Sequence, residues 1–219
     1  MNEEEKVVSK SDLEQDGEIT LLNGEPFSGV CTDYHKNGQK FSEPHYKNGK
    51  KDGLSTVWYD DGQKRIEGHY KNGLEEGLWT EWYENGQKRN EIYYKDGKPN
   101  FIWTEWRVDG SETFEKHYKE GKEEGLWTEW YENGQKRIKK HFKEGKEEGL
   151  WTEWYKNGQK RKEIHYKDGK LEFIWTEWHP NGNKKIEKHY KNGLGDGPWT
   201  EWSEDGKKTY EAIFKEGNE

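Results

Sequence analysis

The sequence predicts an all-β protein, an elongated, single-layer antiparallel β-hairpin repeat array of about eight 24-residue units. Three observations carry that prediction: a fixed period, a pair of glycine-bearing turn signals inside each period, and short aromatic segments of strand length between them. The period shows in "GLWTEWYENGQKR", which occupies residues 77–89 and returns letter for letter at 125–137. Fixed periods of this size mark arrays in which neighbouring units supply one another's core.

The recurring columns set the units. The first tryptophan of "WTEW" falls at Trp79, Trp103, Trp127, Trp151, Trp175 and Trp199, with Cys31 and Ser55 holding the same column earlier. The second aromatic is more regular: Tyr34, Trp58, Trp82, Trp106, Trp130, Trp154, Trp178 and Trp202. Residues 31–219 therefore read as eight tandem repeats, the last one shortened. Residues 1–30 read as an N-terminal tail and a capping half-repeat, since Gly29-Val30 matches Gly53-Leu54.

Within each unit the turns come next. Asn or Asp precedes Gly at Asn37-Gly38, Asp61-Gly62, Asn85-Gly86, Asp109-Gly110, Asn133-Gly134, Asn157-Gly158, Asn181-Gly182 and Asp205-Gly206. Such pairs tolerate the positive φ angles of a type I′ turn, the usual two-residue hairpin connection. A second turn follows, as at Asn48-Gly49, Asp96-Gly97 and Glu144-Gly145. The pieces between, such as "LWTEWY" and "KRNEIYY", are rich in the aromatic and β-branched residues that suit a pleated surface. A two-residue turn at Asn85-Gly86 puts Tyr83 opposite Lys88, Trp82 opposite Arg89 and Trp79 opposite Ile92. Alternation then places Trp79, Tyr83, Ile92 and Tyr94 on one face and Trp82 and Tyr93 on the other.

Composition is consistent with such an array and narrows its function. Of 219 residues, 27% are hydrophobic and 37% charged, a balance that would suit a disordered chain if 13 Trp and 13 Tyr did not stand against it. A lone unit cannot offset the entropy of ordering its backbone, whereas stacked units can bury each other. The net charge of −8 arises from interleaved signs, so no basic stripe for nucleic acid exists. No signal peptide or membrane span is legible, which sets the expectation of a cytoplasmic protein, or an exported or envelope-associated one if a leader is missing. The single Cys31 permits no internal disulfide and reads as a degenerate core position.

The pattern G-x-W-x-x-W-Y-x-N-G followed by Y-x-x-G-K resembles the MORN-repeat variant of bacterial proteins, the kind grouped with YwqK-family antitoxins. The resemblance covers residues 20–219, including the opening "GEPFSGV". It implies an elongated hairpin array acting through protein contacts, and an antitoxin-like role. Two departures stand out: Trp-rich units where Tyr and Phe are more usual, and Phe101 and Phe173 where other units have Gly before the tryptophan segment.

Sharper chemistry finds little support. Histidines recur at His45, His69, His117, His141, His165 and His189, but equivalent residues of adjacent hairpins lie too far apart to share a metal ion. They read as a half-buried ladder packing against the Trp82-type column. The repeated Glu81, Glu105, Glu129, Glu153, Glu177 and Glu201 make many equivalent positions where catalysis needs one, and read as partners of the "QKR" cations. No cofactor is expected. The leading expectation is a non-enzymatic protein-interaction module, an antitoxin-like inhibitor or scaffold. It would be a monomer or edge-paired dimer with a protein partner, binding through Trp58, Trp82, Trp106, Trp130, Trp154, Trp178 and Trp202. The alternatives are an envelope-associated choline- or glycan-binding aromatic module and a ligand-free spacer.

Overall fold

A computed structural model describes residues 6–218; residues 1–5 of the expected tail and Glu219 of the last repeat lie outside it. The chain divides into two compact units, the first ending at Gly110 and the second beginning at Ser111. The first holds β1 (Val7–Ser9), a 3-10 turn (Lys10–Asp12), β2 (Glu14–Asp16), β3 (Ile19–Leu22), β4 (Glu25–Pro26), β5 (Gly29–Tyr34), β6 (Lys40–Lys47), β7 (Lys50–Trp58), β8 (Lys64–Lys71), β9 (Leu74–Trp82), β10 (Lys88–Lys95) and β11 (Lys98–Trp106). The second holds β12 (Glu112–Lys119), β13 (Lys122–Trp130), β14 (Lys136–Lys143), β15 (Lys146–Glu147), β16 (Gly149–Trp154), β17 (Lys160–Lys167), β18 (Lys170–Trp178), β19 (Lys184–Lys191), β20 (Leu194–Trp202) and β21 (Lys208–Phe214). From β5 to β11, and again from β12 to β21, the strands form an antiparallel meander.

The two turns of each repeat differ in kind, and the type I′ turn is not where the sequence suggests. At Asn85-Gly86 only the glycine has positive φ. Gly86 N–H donates to the Tyr83 carbonyl at 2.9 Å and Tyr83 N–H donates to the Gln87 carbonyl at 2.9 Å, a three-residue loop built on a type I turn with a left-handed glycine. The asparagine is there for its side chain. Its Oδ1 accepts from Gln87 N–H at 3.0 Å, while its Nδ2 donates to the Val108 carbonyl of the following repeat at 3.0 Å. The longer loop shifts the pairing by one residue, so Trp82 faces Lys88 and not Arg89; a bulge between Lys88 and Asn90 then restores Trp79 opposite Ile92.

The type I′ geometry belongs to the second turn, where both central residues have positive φ: Asn48 and Gly49, Asp96 and Gly97, Glu144 and Gly145 among them. Glutamate is a poor occupant of that region, because its Cβ crowds the backbone. Neighbouring repeats hold it there. Glu144 N–H donates to Glu124 Oε2 at 2.7 Å and Gly145 N–H donates to the Glu123 carbonyl at 2.9 Å. The same sideways bonds recur as Asn72 N–H to Asp52, Asp96 N–H to Glu76, Asp168 N–H to Glu148 and Asn192 N–H to Glu172.

A matching ladder runs along the first turns. Tyr59, Tyr83, Tyr131 and Tyr155 each donate a hydroxyl hydrogen bond to the carbonyl of the Trp 23 residues ahead, at 2.7–2.9 Å. His35 and His179 reach the Trp58 and Trp202 carbonyls from the same column. Between the two ladders lies the most buried row of the sheet: Thr32, Thr56, Thr80, Thr104, Thr128, Thr152, Thr176 and Thr200, each no more than 8% exposed. The threonine column is unbroken in all eight repeats, even where Cys31 and Ser55 replace tryptophan. The sequence assigns the core to the aromatic columns, and burial corrects this: the small threonines are better shielded than the large rings that cover them.

Ahead of β5 the chain forms four short strands whose bounds the repeat pattern did not give. β2, β3 and β4 form a small antiparallel sheet, Phe27 is buried with its ring 5.7 Å from that of Tyr46, and β1 pairs in parallel with β5. Gly29 permits this, since a Cβ there would meet the Lys6 carbonyl at 2.2 Å.

Two substitutions test these ladders. Glu144→Asn, which suits the left-handed turn, is expected to raise stability by roughly 0.5–1 kcal/mol, while Tyr155→Phe is expected to lower it by about 1 kcal/mol. Urea unfolding of each variant against the parent checks both signs.

Candidate interaction surface

Alternation along β9 sends Leu78, Thr80 and Trp82 to one face and Trp79 and Glu81 to the other. The Trp79 face is paved by aromatic stacking. Trp127 lies over Phe142, Trp151 over Tyr166 and Trp175 over Tyr190, with ring centroids 5.6–6.1 Å apart and planes within 28°. Lysines slot between successive rings. Lys140 Nζ lies 4.7 Å from the Trp127 centroid and 3.8 Å from Trp151, and Lys188 Nζ lies 3.6 Å from Trp199. Such contacts each contribute about 0.5–2 kcal/mol. The glutamates of "WTEW" take the expected partners, with Arg89 on Glu81 at 3.0 Å, Arg137 on Glu129 at 3.4 Å and Arg161 on Glu153 at 3.3 Å.

On the opposite face, Trp58, Trp82, Trp106, Trp130, Trp154, Trp178 and Trp202 are all half-buried. Lysines lie over several of them: Lys40 over Trp58, Lys88 over Trp106, Lys160 over Trp178 and Lys184 over Trp202, at 5.7–6.0 Å. These lysines are held in turn by the glutamate three residues on, as in Lys160 and Glu163 at 2.6 Å. The column is thus a packed band with aromatic edges showing between aliphatic stems.

More exposed apolar surface sits nearer the second turns, on the same face. In the first unit Leu78, Ile102 and Phe101 are 51%, 44% and 60% exposed, beside Tyr93; in the second, Leu150, Ile174 and Phe173 are 42%, 39% and 61% exposed. The histidine ladder belongs to this row. Leu54 pairs with His69, Leu126 with His141, Leu150 with His165 and Ile174 with His189. Its hairpin partners are therefore aliphatic, and not the Trp82-type column, because the register places the histidines at the far end of the strand. His69 and His141 are exposed, the other four half-buried.

Phe101 and Phe173 are unusual in conformation as well as exposure. They take φ angles of +71° and +64°, at the bulge where Gly53, Gly77, Gly125, Gly149 and Gly197 also have positive φ. A bulky side chain in that region is strained by about 1–3 kcal/mol. Ring contacts repay some of it, Phe101 edge-on to Tyr93 at 5.1 Å and Phe173 edge-on to His165 at 6.1 Å. Both positions break the repeat pattern in the sequence, whereas their strain is a property of the folded backbone.

Little here is arranged for chemistry. Cys31 is buried, and burial, with Asp33 adding to it, pushes its thiol above the usual range, away from the reactive thiolate. Among the described residues no group of three or more His, Cys, Asp or Glu side chains is placed to hold a metal ion. No helix among them is long and apolar enough to cross a membrane.

Comparison with protein families matches the model described as "MORN repeat variant" at residues 51–72, 75–96, 123–144, 147–168, 171–192 and 195–216, well over half of the chain. Every matched segment begins near the start of a tryptophan-bearing strand and ends in the following type I′ turn. A search of curated proteins finds no match.

The half-buried tyrosines of the Trp79 face set an alkaline limit on the fold. Burial raises the pKa of Tyr46, Tyr70, Tyr94, Tyr118, Tyr166 and Tyr190 above the ordinary value. Groups raised in the folded state stabilise it fully below the unfolded-state pKa and lose that contribution as pH climbs past it. Burial lowers the pKa of Lys140 and Lys188, which acts in the opposite sense but involves fewer groups. Melting temperature is expected to hold near neutral pH and to fall above about pH 10, with tyrosinate absorbance appearing later than in the urea-unfolded chain.

Proposed function

Because the chain belongs to the MORN repeat variant family, whose repeats serve as interaction modules, we propose that it is a non-enzymatic module that binds another protein through the face carrying Leu78 and Trp82. The observation that carries this reading is the strained pair Phe101 and Phe173. Each stands where five other repeats have a positive-φ glycine, and each presents about 60% of its surface to solvent. A protein that needed only to fold would do better with glycine at both places. The strain is explained if the rings anchor a partner, as large aromatic side chains do at the centres of interfaces.

The rest of the face suits that role. Leu78, Ile102 and Tyr93 extend the apolar patch around Phe101, and Leu150 and Ile174 extend the one around Phe173. The Trp58, Trp82, Trp106, Trp130, Trp154, Trp178 and Trp202 column borders this row under its lysine stems, offering ring edges at low conformational cost. Alternating Lys and Glu around the patches would govern partner choice and association rate more than affinity. In the narrower antitoxin-like form of the proposal, the partner is a toxin whose working surface these aromatics cover; that form rests on the family resemblance.

Phe101→Gly with Phe173→Gly is the decisive variant. It is expected to fold, to melt no lower than the parent, and to release the partner that the parent retains from native lysate, with affinity lost by about a hundredfold. Retention of the same partner by both proteins would overturn the reading. For the antitoxin form, co-expression of the captured partner should arrest growth with the variant and not with the parent.

A further inference from the structure

Trp79 departs from the other tryptophans of its column. Four later ones face a lysine on at least one neighbouring strand: Trp127 pairs with Lys116 and Lys140, Trp151 has Lys140 beside it, and Trp175 and Trp199 flank Lys188. Trp79 instead has Gly68 on one side and pairs with Ile92 on the other. Its indole has swung onto the glycine, so closely that a Cβ at Gly68 would meet the ring at 2.1 Å. There it donates from Nε1 to the His69 carbonyl at 3.2 Å and sits edge-on to Tyr70 at 4.9 Å. It is also edge-on to Tyr94, at 80°, where Trp127, Trp151 and Trp175 lie within 28° of the ring they cover.

The swing leaves space behind it. A cavity of about 250 Å³ opens between Trp79, Tyr94, Ile92, Glu75, Glu81 and Asn90. Its two carboxylates, Glu75 and Glu81, are acceptors, Asn90 Oδ1 is buried without a hydrogen-bond partner, and the Thr80 and Tyr94 hydroxyls complete the polar lining. None of the lining residues is basic. Glu81 keeps Arg89 on its Oε1, and Lys51 stands over the Tyr70 ring at 4.8 Å. A buried acceptor left unpaired destabilises the fold, and a donor entering the cavity would relieve that cost.

The second unit shows what an equivalent environment accepts. Lys140 places its ammonium between Trp127 and Trp151, and the carboxylates that act on it are Glu129, Glu153, Glu147 and Glu123. Counted by the 24-residue period, Glu129 and Glu153 correspond to Glu81, and Glu123 and Glu147 to Glu75. The cavity at Trp79 therefore has the aromatic wall and both carboxylate positions of an ammonium slot, and lacks the ammonium. We propose that it binds an alkylammonium head group, a primary or methylated amine on an apolar stem, with the charge against the Trp79 ring, Glu75 and Glu81, one N–H on Asn90 Oδ1, and the stem along Ile92. The head group can come from a free amine or from a lysine side chain of another protein. The site stands independently of the partner-binding face proposed above.

Calorimetric titration of the whole chain with butylammonium tests this, alongside a lysine blocked at both backbone ends and the neutral isostere butanol. Saturable one-to-one binding of butylammonium, with tryptophan fluorescence changing in parallel, is expected, and no binding of butanol. Binding of the blocked lysine as well would include protein side chains among the ligands; binding of butylammonium alone would restrict the site to free amines. Two variants copy residues the chain already uses at equivalent positions, and both should fold. Ile92→Lys supplies an internal ammonium as at Lys140, and Asn90→Ile removes the unpaired acceptor as at Ile138. Each is expected to weaken binding by about tenfold or more. No saturable binding by either amine, an equal response to butanol, or unchanged affinity in both folded variants would overturn the proposal.

Discussion

A sheet one strand thick has water on both faces, so it cannot hide its side chains in an interior and must stabilise itself along its own surface. That constraint governs what the repeats contain. Large rings lie flat across neighbouring strands, lysine stems fill the spaces between them, and the best-buried row is threonine, whose methyl and hydroxyl suit a position covered by side chains and not by a second layer. Even the tryptophans stay half-buried. Repetition is therefore a folding requirement before it is a functional one, because each hairpin is the nearest thing to a core that its neighbour has.

The same constraint explains why so much specificity sits in the turns. Tyr83 to the Trp106 carbonyl, Asn85 to the Val108 carbonyl and Asp96 N–H to Glu76 all run between repeats and not within them. They couple each hairpin to the next at its two ends, where strand pairing stops. A glutamate such as Glu144 can hold a left-handed turn because its N–H is fixed by Glu124 of the neighbouring repeat. Local strain is carried by the array.

Function is sought where the repeats break their own rule. Phe101 and Phe173 replace glycine and present their rings to solvent at a conformational cost; Gly68 replaces the bulkier residues of its column and lets Trp79 swing away from Tyr94. One exception adds apolar surface on the face of Trp82, the other opens a small acceptor-lined cavity on the face of Trp79. Positions that follow the consensus are accounted for by packing, which is why neither the repeated glutamates nor the histidine row needs a catalytic role.

Period, hairpin units, the two faces and the pairing of Trp79 with Ile92 were all determined by the sequence itself, since they depend on local turn chemistry and on alternation along a strand. Aromatic columns looked like the core from the sequence, whereas the best-buried row is threonine, a column also present in every repeat. Tertiary structure alone decided which turn is type I′, because Asn-Gly pairs suit both loops and the choice is made by sideways bonds to the next repeat. It also decided the one-residue shift that sets Trp82 against Lys88, the parallel docking of Val7–Ser9 on Gly29–Tyr34, and the rotation of Trp79. Each of these depends on what a residue meets one strand over, and a contact of that kind is a property of the assembled sheet.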